Sequence, residues 1–249
     1  MALITHNGRK VRITHRARAA LERTVRTRLR DGEGFRLATV NLDHMARIGS
    51  DAQFARAYAA MDIIVADGRP IVWLSRLARQ PVQLMPGSDL VVPLARLATE
   101  EGRAIAMIGS TEDVLQAAEA HLRKLVPGLA VAFRLAPPMG FDPQGPQVAE
   151  VLRDLEASGA GLCFLALGAP RQEMLAARGA ALAPSVGFAC FGAGLDFLAG
   201  HQRRAPRWMR GLAMEWLWRA LSAPRRMMPR YARCFAILPG LIWRAWRQR

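Results

Sequence analysis

Short apolar segments with no polar face alternate with stretches of helical periodicity over the first 200 residues. The apolar segments predict six strands, at residues 35–40, 63–66, 104–108, 130–135, 161–167 and 186–191. The helical stretches lie at residues 50–61, 89–101, 110–125, 144–157 and 171–181. A strand that is apolar on both faces has to be covered on both sides, and a helix between successive strands supplies the crossover that parallel pairing needs. The pattern therefore predicts an α/β fold with a mostly parallel, Rossmann-like sheet and helices on both faces.

The composition changes near Gly200, which predicts a boundary between an α/β core at 1–200 and a basic, Trp-rich helical appendage at 201–249. The second segment holds twelve arginines, one acid and five of the six tryptophans, so it carries +11 of the formal net charge of +15. Such a segment is suited to a polyanion at an apolar boundary, either an anionic membrane or a nucleic acid. No apolar run reaches the ~18–20 residues of a membrane span, and the N-terminus has no apolar signal core. We therefore expect a cytoplasmic protein.

The sequence carries no signature of a metal site or of a common nucleotide cofactor. The five histidines form no cluster, and HExxH, CxxC and Asp-x-Asp are all absent. Neither a Walker lysine nor GxGxxG follows a strand. The cysteines, Cys163, Cys190 and Cys234, lack metal-ligand spacing and are expected to be buried thiols. We predict no cofactor and no metal.

Polar and glycine-rich clusters follow most of the predicted strands. Asn41 follows the first strand, Asp67 the second, Gly109 and Ser110 the third, and residues 168–173 and 192–196 the fifth and sixth. In a parallel sheet these clusters meet at one edge, where ligands bind. Backbone N–H groups at Gly109 and Ser110 can hold a phosphate, although an ordinary turn has the same composition. Ser110 with Asp113 predicts a capping box at the start of the following helix.

The motifs together resemble those of the WecG/TagA/CpsF glycosyltransferases, glycosyltransferase family 26. The similarity runs from about residue 35 to 231, in the same order as in the family. The matching segments are Thr39-Val40-Asn41, Ala66-Asp67-Gly68 with Trp73, 87–90, 167–173, 192–200, 204–208, 215–219 and 224–226. The resemblance implies an inverting, metal-independent transferase that moves a sugar from a UDP donor onto an undecaprenyl-diphosphate-linked sugar at the inner face of the bacterial membrane.

The resemblance also implies a role for several residues at the strand ends. Asp67 matches the family's catalytic base, which would take the proton of the acceptor hydroxyl; an N-cap of the next helix is the alternative. Thr39 and Asn41 match a polar pair that orients sugar hydroxyls, whereas turn chemistry is the alternative. Gln172 matches the family's substrate-site glutamine, and Glu173 is either a ligand or an ordinary helix-dipole acid. Asp196 follows a glycine-rich turn and contacts either a ligand or a nearby arginine, Arg203 or Arg204.

One departure from the family pattern concerns the donor. Leu84 stands where many members carry an arginine suited to a diphosphate, so neutralisation must come from Arg69, from the appendage or from a different donor geometry. Residues 136–141 resemble a branch with exopolysaccharide transferases. We therefore expect a UDP-dependent hexosyltransferase similar to N-acetylmannosaminyl- or glucosyltransferases, with an N-acetylhexosamine, hexose or uronic acid as the donor sugar.

The appendage is predicted to bind the membrane surface and the lipid diphosphate. On a helical wheel, residues 207–221 place apolar side chains on both sides, with arginines between them, which suits a helix wedged between protein and headgroups. A solvated surface helix is the alternative. The residues expected to act there are Arg203, Arg204, Arg207, Arg219, Arg225, Arg226, Trp216 and Trp218. The expected partners are a UDP-sugar, a polyprenyl-diphosphate-linked acceptor, the anionic inner membrane surface and, for an oligomer, a second copy of the chain.

Two other classes of function compete with this interpretation. Basic and aromatic residues together are also typical of single-strand nucleic-acid binders, but no nucleic-acid motif is present and the tryptophans fall in helical patterns. A non-catalytic membrane scaffold would have no need of Asp67 or of the Thr39 and Asn41 pair. We therefore predict no nucleic-acid partner.

Overall fold

The computed structural model of the protein describes residues 2–200, 206, 209 and 215–248. The strands are β1 (Ala2–His6), β2 (Arg9–Ile13), β3 (Phe35–Val40), β4 (Ile63–Ala66), β5 (Ala104–Gly109), β6 (Val131–Leu135), β7 (Ala160–Ala166) and β8 (Gly187–Cys190). The helices are α1 (Arg18–Asp31), α2 (Leu42–Ser50), α3 (Ala52–Ala59), α4 (Arg69–Leu77), α5 (Gly87–Glu100), α6 (Glu112–Leu125), α7 (Val148–Ala157), α8 (Arg171–Leu182), α9 (Gly194–Leu198), α10 (Glu215–Ser222) and α11 (Pro224–Arg247).

The six predicted strands pair into one parallel sheet in the order β4-β3-β8-β7-β5-β6. The side chains alternate between two apolar layers, so that Ala38 and Val40 of β3 face one core and Phe35 and Leu37 face the other. Helices α2, α3, α4, α7, α8 and α11 cover the first face, and α1, α5, α6 and α9 cover the second. The predicted α/β fold with helices on both faces is confirmed.

Several elements were not predicted. Strands β1 and β2 form an antiparallel hairpin whose turn is Asn7-Gly8, with φ of 47° and 74°. The helix predicted at 50–61 is instead α3, and it begins after Asp51 because the Asp51 side chain accepts hydrogen bonds from the N–H groups of Gln53 and Phe54. Helices α1, α2, α4, α9 and α11 are additional. The helix predicted at 144–157 begins only at Val148.

The C-terminal helix packs on the core. Its buried side chains recur at helical spacing, at Met227, Cys234, Leu241 and Ala245, and the helix contacts α2, α4 and β1. At its far end, Arg244 Nη1 donates to the carbonyl of Thr5 at 3.2 Å. The division at Gly200 stays a prediction, because most residues between Gly200 and Glu215 lie outside the described part of the chain.

Candidate active site

The topology predicts a ligand-binding crevice at the carboxyl edge of the sheet between β3 and β8. These strands are neighbours, yet the helix that follows β3, α2, lies on one face and the helix that follows β8, α9, lies on the other. The two loops therefore diverge, which is the arrangement in which open α/β sheets bind ligands. All the predicted site residues up to Asp196 lie along this edge, because each follows or ends one of the parallel strands.

Asp67 follows β4 and is half-buried at this edge. Its backbone N–H donates to the carbonyl of Val40 at 2.8 Å, which holds it beside the end of β3. The N-cap of α4 is Gly68, at φ 89°, so the alternative in which Asp67 is the cap is not what the structure has. A Cβ added to Gly68 would lie 3.8 Å from Asn41 Cβ, so the loops after β3 and β4 are in contact.

Thr39 and Asn41 are held by a buried network at the end of β3. The Thr39 carbonyl accepts hydrogen bonds from His44 Nδ1, at 2.7 Å, and from the Tyr58 hydroxyl. Burial lowers the pKa of His44 to about 4, so the imidazole is neutral and Nδ1 carries the proton that it donates. The two hydrogen bonds to the Thr39 carbonyl thereby fix the backbone between Thr39 and Asn41.

Asn41 uses its side chain as the N-cap of α2. Its Oδ1 accepts a hydrogen bond from the backbone N–H of His44 at 3.1 Å, which is the turn chemistry expected of asparagine after a strand. Within the described part of the chain, Asn41 Nδ2 makes no hydrogen bond. That amide is the group through which Asn41 can contact a ligand, and the contact itself stays a prediction.

Gln172 and Glu173 lie below the crevice rather than at its surface. Gln172 is 2 % exposed, and its side chain joins Gly192 to Glu173. Glu173 is fully buried, and its Oε2 has no hydrogen-bond partner among the described residues. From the sequence, Glu173 was predicted to be either a ligand or a helix-dipole acid. Complete burial could not be read from its local pattern, because it results from packing against distant residues.

Gly109 and Ser110 differ from the prediction. Gly109 has φ 120°, and a Cβ there would lie 2.5 Å from the Ala166 carbonyl carbon, so only glycine fits. The N-cap of α6 is Thr111, not Ser110, and the predicted capping box is wrong. Ser110 N–H donates to the Ala166 carbonyl at 3.2 Å, so the strand pairing already uses this N–H.

The Ser110 side chain turns instead toward Asp196. With φ 58°, Ser110 directs its Oγ to Asp196 Oδ1 at a distance of 3.0 Å, which joins the loop after β5 to α9. The sequence left open whether Asp196 contacts a ligand or pairs with Arg203 or Arg204. Both arginines lie outside the described residues, so Asp196 is shown here only with its serine partner.

The start of α5 closes the same edge from the second face of the sheet. A Cβ added to Gly194 would lie 3.2 Å from Val91 Cγ2 and 3.6 Å from Ser88 Cα, so the start of α9 packs closely against the first turns of α5. Leu84, in the loop before α5, is 39 % exposed. The first turn of α5 therefore reaches the edge of the crevice without the arginine expected at position 84.

The appendage presents apolar side chains on its outer surface. On α11, the exposed residues Met228, Phe235, Ile242, Trp243 and Trp246 flank the buried ones, and this set is called the outer apolar flank below. Trp216 of α10 is exposed and packs edge-on against Phe235, with ring centroids 5.8 Å apart, and Trp243 stacks on Trp246. This flank was not predicted, because no helix was predicted beyond residue 221, whereas α11 begins at Pro224, in the first helical turn, where proline is tolerated.

The other predicted appendage residues are described only in part. Trp218 is half-buried and Arg225 is exposed. Arg203, Arg204 and Arg207 lie outside the described residues, as does most of the predicted helix at 207–221, and the side chains of Arg219 and Arg226 are not described. Their roles stay predictions.

Three properties of the described residues concern metals, thiols and membranes. Within residues 2–200, 206, 209 and 215–248, no three His, Cys, Asp or Glu side chains converge into a metal-binding group. All three cysteines are buried and free, as expected. In the same residues, none of the helices combines the length and the apolarity that crossing a membrane requires.

A comparison with known protein families agrees with the motifs. Residues 7–249 match the model described as the glycosyl transferase WecG/TagA/CpsF family.

Proposed function

The chain belongs to the WecG/TagA/CpsF family of glycosyltransferases, and on that premise we propose that it transfers a sugar from a UDP-sugar to an undecaprenyl-diphosphate-linked saccharide. The reaction proceeds with inversion and without a metal, at the inner face of the bacterial plasma membrane. The pathway is the synthesis of a surface polysaccharide. The observation that carries this proposal is the position of Asp67, half-buried beside Asn41 at the crevice between β3 and β8.

Asp67 is the general base of the proposed reaction. The acceptor hydroxyl oxygen forms a bond to the anomeric carbon from the side opposite to UDP, and the bond between that carbon and the diphosphate oxygen breaks. The acceptor proton passes to the Asp67 carboxylate, and UDP leaves with the bonding electrons. Asn41 Nδ2 and the buried Thr39 segment orient the sugar, since both are fixed by the network around His44.

The leaving UDP needs positive charge or N–H donors near its diphosphate. The first turn of α5 lies at the crevice edge, and N–H groups at a helix N-terminus favour an anion. Arginines of the appendage, with Arg69 at the start of α4, supply the remaining charge. This division of roles explains how a chain with Leu84 in place of an arginine still binds a nucleotide diphosphate.

The outer apolar flank supports membrane association. Trp and Phe side chains exposed along one helix, beside arginines such as Arg225 and Arg233, suit the boundary between acyl chains and anionic headgroups. A lipid-linked acceptor is confined to that boundary, so a transferase that binds there meets its acceptor in two dimensions. The appendage would then cover the lipid diphosphate at the crevice.

The test is a transfer assay with a defined lipid product. The full chain is incubated with a panel of UDP-sugars and short polyprenyl-diphosphate-sugar acceptors, and the lipid product is identified by mass. One added hexose, N-acetylhexosamine or uronic acid residue is expected with one donor of the panel. Absence of any product, with UDP-sugars that neither bind nor hydrolyse, would leave the scaffold as the better explanation.

A further inference from the structure

A chain of hydrogen bonds through two buried side chains, Gln172 and Glu173, connects α8 to the loop that follows β8. Gln172 Oε1 accepts a hydrogen bond from the backbone N–H of Gly192 at 2.9 Å, and Gln172 Nε2 donates to Glu173 Oε1 at 2.8 Å. Gln172 is 2 % exposed and Glu173 is fully buried. Gly192 is half-buried, but the Gln172 side chain itself is shielded from water, so its amide depends on these two groups.

The two partners allow only one orientation of the Gln172 amide. A backbone N–H can only donate, so Gly192 requires the oxygen of the amide. A carboxylate can only accept, so Glu173 requires the NH₂ group. The charge of Glu173 thus determines which end of the amide faces Gly192. A neutral group that both donates and accepts would permit the opposite orientation, in which the amide NH₂ faces a backbone N–H.

Gly192 begins the loop that forms one wall of the crevice. The loop runs from Gly192 to Asp196 of α9, and Asp196 is tied to Ser110 in the loop that follows β5. Gly192 has φ 53°, and its N–H donates both to Gln172 Oε1 at 2.9 Å and to the Leu165 carbonyl at 3.2 Å. The shorter of these two hydrogen bonds, the one that Gln172 accepts, therefore helps to set the position of this wall relative to Asn41 and Asp67.

The surroundings of Glu173 explain how its proton is held. Tyr58 of α3 and Cys190 of β8 face it, with Cys163 of β7 beyond Cys190 and Arg47 of α2 as the nearest cation that acts on it. Burial raises the pKa of Glu173 to about 7, and hydrogen bonds from Gln172 and from its own N–H, with the charge of Arg47, limit the rise. Glu173 Oε2 has no hydrogen-bond partner among the described residues. It can therefore take up a proton without breaking a hydrogen bond, but the described residues offer no acceptor for that proton.

We infer that Glu173 is a positioning residue, whose carboxylate fixes the Gln172 amide and through it the Gly192–Asp196 wall in the geometry that binds the sugar nucleotide. The role in sugar-nucleotide binding rests on the proposed function, whereas the effect on Gly192 does not. Glu173 touches no substrate in this account. It acts only through the glutamine that the family resemblance places in the substrate site.

The first measurement is made without any sugar nucleotide. The chain, with its 21 glycines, is labelled with ¹⁵N-glycine, and the Gly192 amide shift is followed from pH 5.5 to 8.5 in the wild type, in Glu173→Gln and in the surface control Glu150→Gln. In the wild type and the control the Gly192 signal should titrate with a midpoint near 7. In Glu173→Gln it should be displaced at every pH and show no titration. An unmoved Gly192 signal in Glu173→Gln would overturn the inference, whatever the protein transfers.

The second measurement asks what the fixed wall does for binding. Glu173→Gln keeps the size of the side chain, and we expect it to raise the KM for the UDP-sugar roughly 10-fold while kcat changes less than about 3-fold, since a hydrogen bond within a charged network is at stake. The limb of the kcat/KM profile near pH 7 should disappear as well. A displaced Gly192 signal with an unchanged KM would overturn the role in ligand binding. The pH titration of the wild type needs no variant and covers the case in which Glu173→Gln does not fold.

Discussion

Arg230 of the C-terminal helix places its Nε 3.3 Å from Asp43 Oδ2, and Asp43 lies only two residues beyond Asn41 of the candidate site. Asp43 is 5 % exposed and also accepts a hydrogen bond from Arg47 Nε at 3.1 Å, within the same helix. The nearest contact of Arg233 to this carboxylate is 3.9 Å. One nearly buried carboxylate therefore connects the appendage to the helix that Asn41 caps. A movement of α11 would therefore be transmitted to the first turn of α2.

This relationship predicts that Asp43→Asn loosens the appendage while the sheet stays folded. The substitution removes the charge that holds Arg230 and Arg233 of α11. Because the half-exposed Arg230 can then turn toward water, we expect a loss of roughly 1–3 kcal/mol of stability. Hydrogen exchange of α11 should accelerate while that of β7 and β5 stays slow. Asp154→Asn, at an exposed position of α7, is the matched control. Equal protection of α11 in both variants would show that apolar packing alone docks this helix.

The catalytic assignment predicts the behaviour of Asp67→Asn. The amide keeps the shape of the side chain but cannot take a proton, so turnover should fall about 10²–10⁴-fold, with UDP affinity and unfolding midpoint near those of the wild type. Asp154→Asn again serves as the control. A variant that keeps more than about a third of wild-type turnover would mean that another group is the base.

The position of Asp67 at the sheet edge could be predicted from the sequence and the burial of Glu173 could not, for a physical reason. Asp67 follows a strand that is apolar on both faces, and the carboxyl end of such a strand lies at the ligand-binding edge whatever the rest of the chain does. Burial of Glu173 depends on Tyr58 and Cys190, which are far from it in sequence. The Asp43 and Arg230 pair was beyond prediction for the same reason.

Local patterns also misled where backbone conformation was set by distant contacts. Ser110 resembles an N-cap by sequence, yet its φ of 58° follows from the close approach of Gly109 to Ala166 and from the hydrogen bond to Asp196. By contrast, the β1–β2 hairpin did carry a local signal. Asn7-Gly8 is a favoured two-residue turn, and apolar residues alternate with polar ones after it. That hairpin was predictable from pattern alone.

The mechanism predicts that activity does not need a divalent metal. Without an Asp-x-Asp motif, the diphosphate must be stabilised by N–H donors and arginines, which EDTA does not remove. Purified enzyme should keep its turnover in excess EDTA, and added Mg²⁺ or Mn²⁺ should change it less than about 2-fold. The assay is UDP release under both conditions, with a known metal-dependent transferase as the positive control. A strict requirement for a divalent ion would contradict this account of the leaving group.

Buried His44 predicts a loss of stability in acid. Because the folded-state pKa is about 4 and the ordinary value is 6.5, the unfolded chain takes up a proton that the native state refuses. The stability from this group is therefore complete above pH 6.5 and falls as the pH drops toward 4, by at most about 1.4 kcal/mol per pH unit and roughly 3 kcal/mol in all.

The contribution of His44 is isolated by comparison with His44→Asn, which can still donate to the Thr39 carbonyl but does not titrate. Glu173, whose pKa is raised, acts with the opposite sign in the same range, so only the difference between wild type and variant is informative. Urea denaturation at pH 4.5, 5.5, 6.5 and 7.5 should give a difference that grows as the pH falls. Parallel curves for the two proteins would show that the pKa of His44 is the same in the native and unfolded states.

The outer apolar flank predicts how the full chain binds membranes, and it separates the membrane interpretation from the nucleic-acid one. Replacing Phe235, Ile242 and Trp246 by Asn should abolish flotation with anionic vesicles and lipid-linked transfer, because these side chains are exposed and contribute little to the fold. Met139→Asn, at a fully exposed apolar position elsewhere, should change neither.

Arg225→Glu should weaken binding by about 1 kcal/mol per charge removed, and this electrostatic contribution should vanish at high salt. The contribution of Trp burial should persist, because it is hydrophobic in origin. The same proteins are tested with single-stranded DNA at matched salt. Tight, saturable DNA binding without flotation would contradict the membrane interpretation, since a helix whose exposed tryptophans insert into a bilayer is not expected to bind nucleic acid in preference.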